Sequence, residues 1–231
     1  MQPGCVSIKD RWRARWAAER PTAFTLARLT LAGIVVYVAI DVLLAFLRPG
    51  YSLLYNAESD YGRGPWFWVM DANFLLRCAL SLTLAGALYR SARPQDQVRG
   101  GLGLLVGWAV CSGLLAFFAD NPAGYPKLGS GQVHLLLALI AFVCVAAGAI
   151  VVSVNLRSSR SRAALPLAVA GAAALVLLVL TAGHRHAPGG LYERIFLGLE
   201  LLWMAAVAAR IARTKVSWQP RRAAARSTAG C

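Results

Sequence analysis

The chain has 231 residues, 58% of them hydrophobic and 15% charged, and it carries a net charge of +14. A soluble domain holds about 25% charged residues, so the composition argues against an ordinary globular enzyme. The basic balance would suit nucleic acid, but the positions of the charges point elsewhere. Apolar runs near the ~20 residues needed to cross a bilayer recur six times, roughly over 24–47, 66–89, 100–118, 132–154, 164–183 and 191–211. An amphipathic soluble bundle would alternate polar and apolar faces. The run "ALPLAVAGAAALVLLVLTAG" over 164–183 has no charge and no polar face.

The N-terminal segment "MQPGCVSIKDRWRARWAAER" is basic, with Trp12 and Trp16 among arginines, and could lie as a short amphipathic helix in the headgroup layer. The first run is too long for a signal-peptide core, and no small-residue cleavage site follows it, so it is expected to stay as an anchor. If the N-terminus is cytoplasmic, one face of the membrane collects eighteen cations and three acids, whereas the other has five and four. That asymmetry is the positive-inside pattern. It records topology and attraction to anionic headgroups, and leaves no reason to expect nucleic acid. The sequence thus predicts an all-α, polytopic protein of the cell (inner or plasma) membrane, a six-helix bundle with both termini cytoplasmic. Residues 1–23 and 213–231 are basic tails, and 24–212 form the membrane domain.

Within the first three spans, away from their cytoplasmic ends, the strongly polar residues are Asp41, Asp71, Asn73 and Arg77. The outer connection "RPGYSLLYNAESDYGRGP" holds Glu58, Ser59 and Asp60, and "ADNPAGYPKLGSG" holds Asp120. Small residues at helical spacing, Gly103, Gly107 and Cys111 on span three and Ala138, Ala141, Val145 and Gly148 on span four, predict close helix packing in lipid. His134 opens span four; the loop "HRHAPGG" carries His184 and His186; Glu193, Arg194 and Glu200 lie on span six. An HxH pair is a weak metal signal without further ligands, so His134, His184 and His186 are only weak metal candidates, and no cofactor is indicated. Cys78, Cys111 and Cys144 fall within spans and none lies in an outer loop, so no disulfide framework is expected.

Ionisable residues inside spans cost about 2.5–3.5 kcal/mol each on insertion scales and normally face the bundle interior or a wet cavity. Here they crowd the outer half. The expectation is an outward-open polar cavity between spans one, two, four and six, lined by Asp60, Asp71, Asn73, Arg77, His134, Glu193, Arg194 and Glu200, with Arg77 pairing to Glu200 or Asp41. Span five would lie at the lipid-facing edge. The alternative is that buried ion pairs only lock helices together.

Several landmarks carry a resemblance. "SDYG" (59–62) precedes span two, which has Asn73 early; a Pro-containing outer loop follows, then "GQVH" (131–134), then "GLYERIFLGLELLW" (190–203). In this order they resemble the domain-of-unknown-function family 998, six-span membrane proteins, over about residues 25–212. Tyr61 stands where the family typically has an aliphatic residue, and "AFFADNPAGYP" replaces its Phe-Pro pattern. The resemblance implies a six-helix fold with Asp60, Asn73, His134 and Arg194 at family-type positions, and it implies no activity.

Three function classes follow. A non-catalytic binder of a lipid or small amphiphile, in a sensor or accessory role, needs only a polar pocket in an apolar wall. A membrane-embedded hydrolase of lipid esters or amides needs an activated water or nucleophile; acids and histidines are present, but no HExxH or GxSxG motif is. A small-molecule transporter would show polar groups on both sides of the midplane, whereas the inner halves read as sealed. The first class is the preferred expectation.

Overall fold

The computed structural model describes residues 8–92, 98–122, 126, 128–156, 163–182, 184 and 186–213, with the side chains of 8–20 outside the description. The expected interfacial placement of Trp12 and Trp16, the inner connections and the C-terminal tail therefore lie outside the described residues. Six α-helices follow in order: α1 (Ile8–Leu47), α2 (Phe67–Ser91), α3 (Arg99–Leu114), α4 (Ser130–Asn155), α5 (Ala164–Thr181) and α6 (Gly189–Arg213). No strand occurs among the described residues, and all six helices are long and apolar enough to cross a membrane.

Helix α1 differs from expectation. It begins at Ile8, within the segment read as a tail, and Pro21 lies inside it. Proline removes one intrahelical N–H, and Thr25 Oγ1 donates back to the Pro21 carbonyl at 3.1 Å, one turn on.

The helices close into a ring in which each packs on its sequence neighbours and α6 returns to α1; α6 also touches α2 and α4. Helix α5 contacts only α4 and α6 among the stronger pairings, as its lack of polar residues foretold. The outward faces are apolar: Val35, Phe46, Leu136, Val143, Val176 and Leu180 are all exposed. In water such a surface would aggregate; against lipid it is the natural boundary. Inside, Trp108 and Trp203 are fully buried. Hydrogen bonds tie helices across the core where lipid offers no competing partner. Thr30 and Thr83 hydroxyls meet at 2.9 Å between α1 and α2, and Trp203 Nε1 donates to Ser153 Oγ at 2.9 Å between α6 and α4.

Small residues set the closest crossing. A Cβ on Gly101 would lie 2.6 Å from Val152 Cγ2 and 3.2 Å from the Val152 backbone nitrogen, and one on Gly148 would lie 3.2 Å from Leu104 Cβ. The expected α3 stripe is therefore shifted. Gly107 does abut α4, since a Cβ there would lie 3.3 Å from Cys144 Sγ, but a Cβ on Gly103 would meet nothing, and Gly101 makes the close approach. Gly101→Leu and Gly148→Leu should each lower unfolding free energy in detergent by about 1–3 kcal/mol, the range for overpacking. Gly103→Leu should leave it unchanged; thermal unfolding of the three purified variants measures this.

Candidate functional site

The segment joining α1 to α2, residues 48–66, does not lie away from the bundle. It folds over one end as a cap, and its 3₁₀ turn at Glu58–Gly62 sends Glu58, Asp60 and Tyr61 into the interior. Gly50 and Gly64 bracket the cap with positive φ values of 77° and 81°, a conformation that a side chain resists. Beneath it, α1 offers Tyr37, Asp41 and Leu44, and α2 offers Met70, Asn73, Phe74 and Arg77, each set on one helical face by its three- and four-residue spacing. Helix α6 starts at the cap with Gly190, Glu193 and Arg194. Side chains on a helix tilt toward its N-terminus. Both α2 and α6 begin at the capped end, so Arg77, Glu193 and Arg194 lean up toward the cap.

Two guanidinium groups organise the cluster. Arg77, 2% exposed, donates to Tyr37 Oη at 3.1 Å and stands 3.8 Å from Glu58 Oε2. The Tyr37 hydroxyl in turn donates to Glu58 Oε1, and Asn73 Nδ2 reaches the Tyr37 carbonyl at 3.4 Å. The Arg77 guanidinium also covers the rings of Phe74 and Tyr37, at 5.1 and 5.8 Å, a favourable placement for a desolvated cation. Arg194 holds the other side of the cap. Its Nη1 donates to the carbonyls of Asn56, Gly190 and Leu53 at 2.8, 3.0 and 3.2 Å, and its Nη2 to Tyr51 Oη at 2.6 Å. Tyr51 and Tyr61 stack with ring centres 4.1 Å apart. Burial pushes both hydroxyls above the ordinary phenol range, with Arg194 pulling the other way. The backbone joins too: Leu191 N–H donates to the Leu54 carbonyl at 3.0 Å, and any side chain at Gly190 would overlap the Asn56 backbone.

Asp60 organises the cap internally. One carboxylate oxygen accepts from Asn56 Nδ2 and Ala57 N–H, both at 3.2 Å; the other pairs with Arg63, and Arg48 donates to the Asp60 carbonyl. Glu193 sits beside Glu58. Asp41 lies within the field of Glu58, Arg194 and Arg77. Its Oδ1 is buried without a hydrogen-bond partner, as are Asn73 Oδ1 and Arg77 Nε.

The residues expected to share one site are therefore divided. Asp60, Asn73, Arg77, Glu193 and Arg194 come together, whereas Asp71, His134 and Glu200 do not join them. Asp71 faces Gly62, whose Cβ would lie 3.9 Å from its Oδ1. His134 packs under the α3–α4 connection, with Nδ1 2.6 Å from the Phe118 carbonyl and its ring edge-on to Phe74 at 6.1 Å. Glu200 lies against α5. The expected pairing of Arg77 with Glu200 or Asp41 is replaced by Glu58, an acid that the sequence assigns to an outer loop. Tyr37 is likewise missed, because one tyrosine in "VVYVAID" reads as part of a lipid-facing run. The signal that could have found them is arithmetic: a mid-span arginine needs a counter-charge, and the loop acids must be counted as candidates. His184 and His186 are exposed, and among the described residues no three His, Cys, Asp or Glu side chains gather as a metal site.

Removing one partner of a buried pair strands the other charge, which costs about 3–5 kcal/mol. Glu58→Ala and Arg77→Met should each destabilise the protein by that order. The double variant should be far less harmful than the sum of the two, as a thermal-unfolding double-mutant cycle in detergent would register.

No curated protein and no solved structure matches the chain. A family model does match, over residues 31–210. It runs from the second half of α1 to near the end of α6, taking in the cap and the polar cluster beneath it, and the chain therefore belongs to the family described as "Protein of unknown function (DUF998)".

Proposed function

We propose that this membrane protein is a binder rather than a catalyst, and that its capped end faces outward from the cell membrane and takes the head of a lipid or small amphiphile. The orientation rests on Arg90, Arg99, Arg210 and Arg213, at the helix ends away from the cap, and on the basic sequence of both tails and the inner connections, the pattern that the positive-inside rule requires of a cytoplasmic face. One observation carries the ligand reading. Asp41 is half-buried, with Oδ1 lacking a hydrogen-bond partner, and its neighbours on α1, Val38, Val42 and Phe46, are exposed and apolar. A tail lying along α1 in the bilayer would bring its head directly to Asp41. That oxygen is closed off from the surface, so a head that donates, such as a hydroxyl or an ammonium, would have to part the side chains over it to reach it.

The charges around it support a binding role. Asp41, Glu58, Asp60 and Glu193 are balanced by Arg48, Arg63, Arg77 and Arg194, so the capped end attracts neither bulk anions nor bulk cations strongly. Selection would come from hydrogen bonds and shape, as in most small-molecule sites.

Native mass spectrometry of the protein purified in mild detergent, recording lipid and metal together, tests this reading. The wild type should carry a lipid or amphiphile adduct, and Asp41→Leu should reduce its affinity about tenfold, the equivalent of 1.4 kcal/mol. Equal adducts in both proteins would refute it, and stoichiometric zinc would favour a hydrolase instead. For the orientation, Tyr55→Cys and Ser130→Cys should react with an impermeant thiol reagent on intact cells. Cys5 and Cys231 in the basic tails should not. Asp60→Cys should also stay unreactive, because that position is only 5% exposed.

A further inference from the structure

Glu200 stands apart from the capped cluster. It lies eleven residues into α6, about 16 Å along the axis at 1.5 Å per residue, which is close to the middle of a ~30 Å hydrocarbon layer. It is 1% exposed, and neither carboxyl oxygen has a hydrogen-bond partner. Its own helix surrounds it with buried Phe196, Leu197, Trp203 and Met204, and α5 adds Ala168 and Leu175. The carboxyl packs directly on α5 at Gly171, where a Cβ would lie 2.5 Å from Glu200 Oε1. The chain thus leaves a carboxyl-shaped space at one helix crossing, at mid-span, away from the capped cluster.

Among the described residues, no counter-charge reaches this space. Helix α5 has no titratable residue at all. Tyr37 and Asp41 of α1, Arg77 of α2 and Glu58 of the cap are gathered near Glu193, two turns away along α6. On α4, Ser153 is engaged by Trp203, and Cys144 faces Gly107 of α3. An unpaired carboxylate in such surroundings is strongly disfavoured, whereas the neutral acid needs no counter-ion.

We propose that Glu200 is a proton-binding site at the α5–α6 interface, a carboxylic acid that carries an exchangeable proton in mid-membrane, with Gly171 providing its seat. The ligand of this second site is the proton itself. Removing the proton leaves a charge with no partner on any packed helix, so release requires the contact at Gly171 to loosen and admit water.

Dicyclohexylcarbodiimide tests this on the full-length protein in membrane vesicles. The reagent enters lipid and reacts with protonated carboxyls. The acid proton passes to one carbodiimide nitrogen while the carboxyl oxygen bonds the central carbon, an addition with no leaving group. Peptide mass mapping should find the adduct on Glu200, and labelling should fall about tenfold per unit of pH above its midpoint, as for a single titrating group. Glu200→Gln, a neutral isostere, should abolish that adduct and keep the thermal midpoint. Gly171→Val, which fills the seat, should change both the labelling and the midpoint. A wild-type protein unlabelled at Glu200, labelling unaffected by pH, or a Glu200→Gln variant that unfolds would each overturn the proposal.

Discussion

The constraint on which the capped end depends is the charge of Arg77. A guanidinium keeps its proton in any protein environment, so a chain that puts one ten residues into a membrane helix must bring it an anion. The spans supply none in contact, and the segment between α1 and α2 does. Glu58 enters from the cap to meet Arg77 and Tyr37, and that requirement explains why the cap turns inward. Non-helical backbone near a membrane must find its hydrogen bonds within protein. Arg194, Asp60 and the Asn56 side chain meet that demand by engaging the cap's carbonyl and amide groups. Closure of the ring by α6 against α1 and α2 is part of the same arrangement, since Arg194 and Leu191 hold the far edge of the cap.

A buried ion pair is a poor source of net stability, because desolvation offsets much of the attraction. Its effect is on position. With Arg77, Tyr37 and Glu58 mutually engaged, α1 and α2 have one favoured register under the cap, and Arg194 ties α6 to the same frame. The capped end is thus held by polar contacts, while the remainder of the bundle is held by apolar packing and close approaches such as Gly101 on Val152. Asp41 lies at the border between these two regions, with polar neighbours on one side and lipid-facing valines on the other. In the proposed binding role, that position is where an amphiphile would make contact.

The sequence was most legible where hydrophobic length decides the outcome. Six apolar runs yield six helices with boundaries within a few residues, apart from α1, whose helix continues through Pro21 into the basic segment. It was also legible for Asn73, Arg77, Glu193 and Arg194, since polar groups inside spans must face inward. It was least legible in the cap. Residues 48–66 have no helical period and many turn formers, so they read as a solvated loop, and Glu58 read as a surface acid. Glu200 misled for a different reason. Its seven-residue spacing from Glu193 places both on one face of α6, but two turns of depth bring the lower one to α5 and the upper one to the cap. Helical spacing fixes the azimuth and leaves the neighbour at each level undetermined. Gly103 and Gly101 show the same limit, because several α3 glycines compete for one crossing point.

Hydrogen–deuterium exchange of the protein in lipid nanodiscs addresses the central claim most directly. With Glu58 drawn down to Arg77 and the amides of Asn56 and Asp60 bonded within the cap, residues 56–60 should exchange as slowly as a packed helix, and Arg77→Met should release them. Exchange of this segment at the rate of an open loop in the wild-type protein would contradict the account.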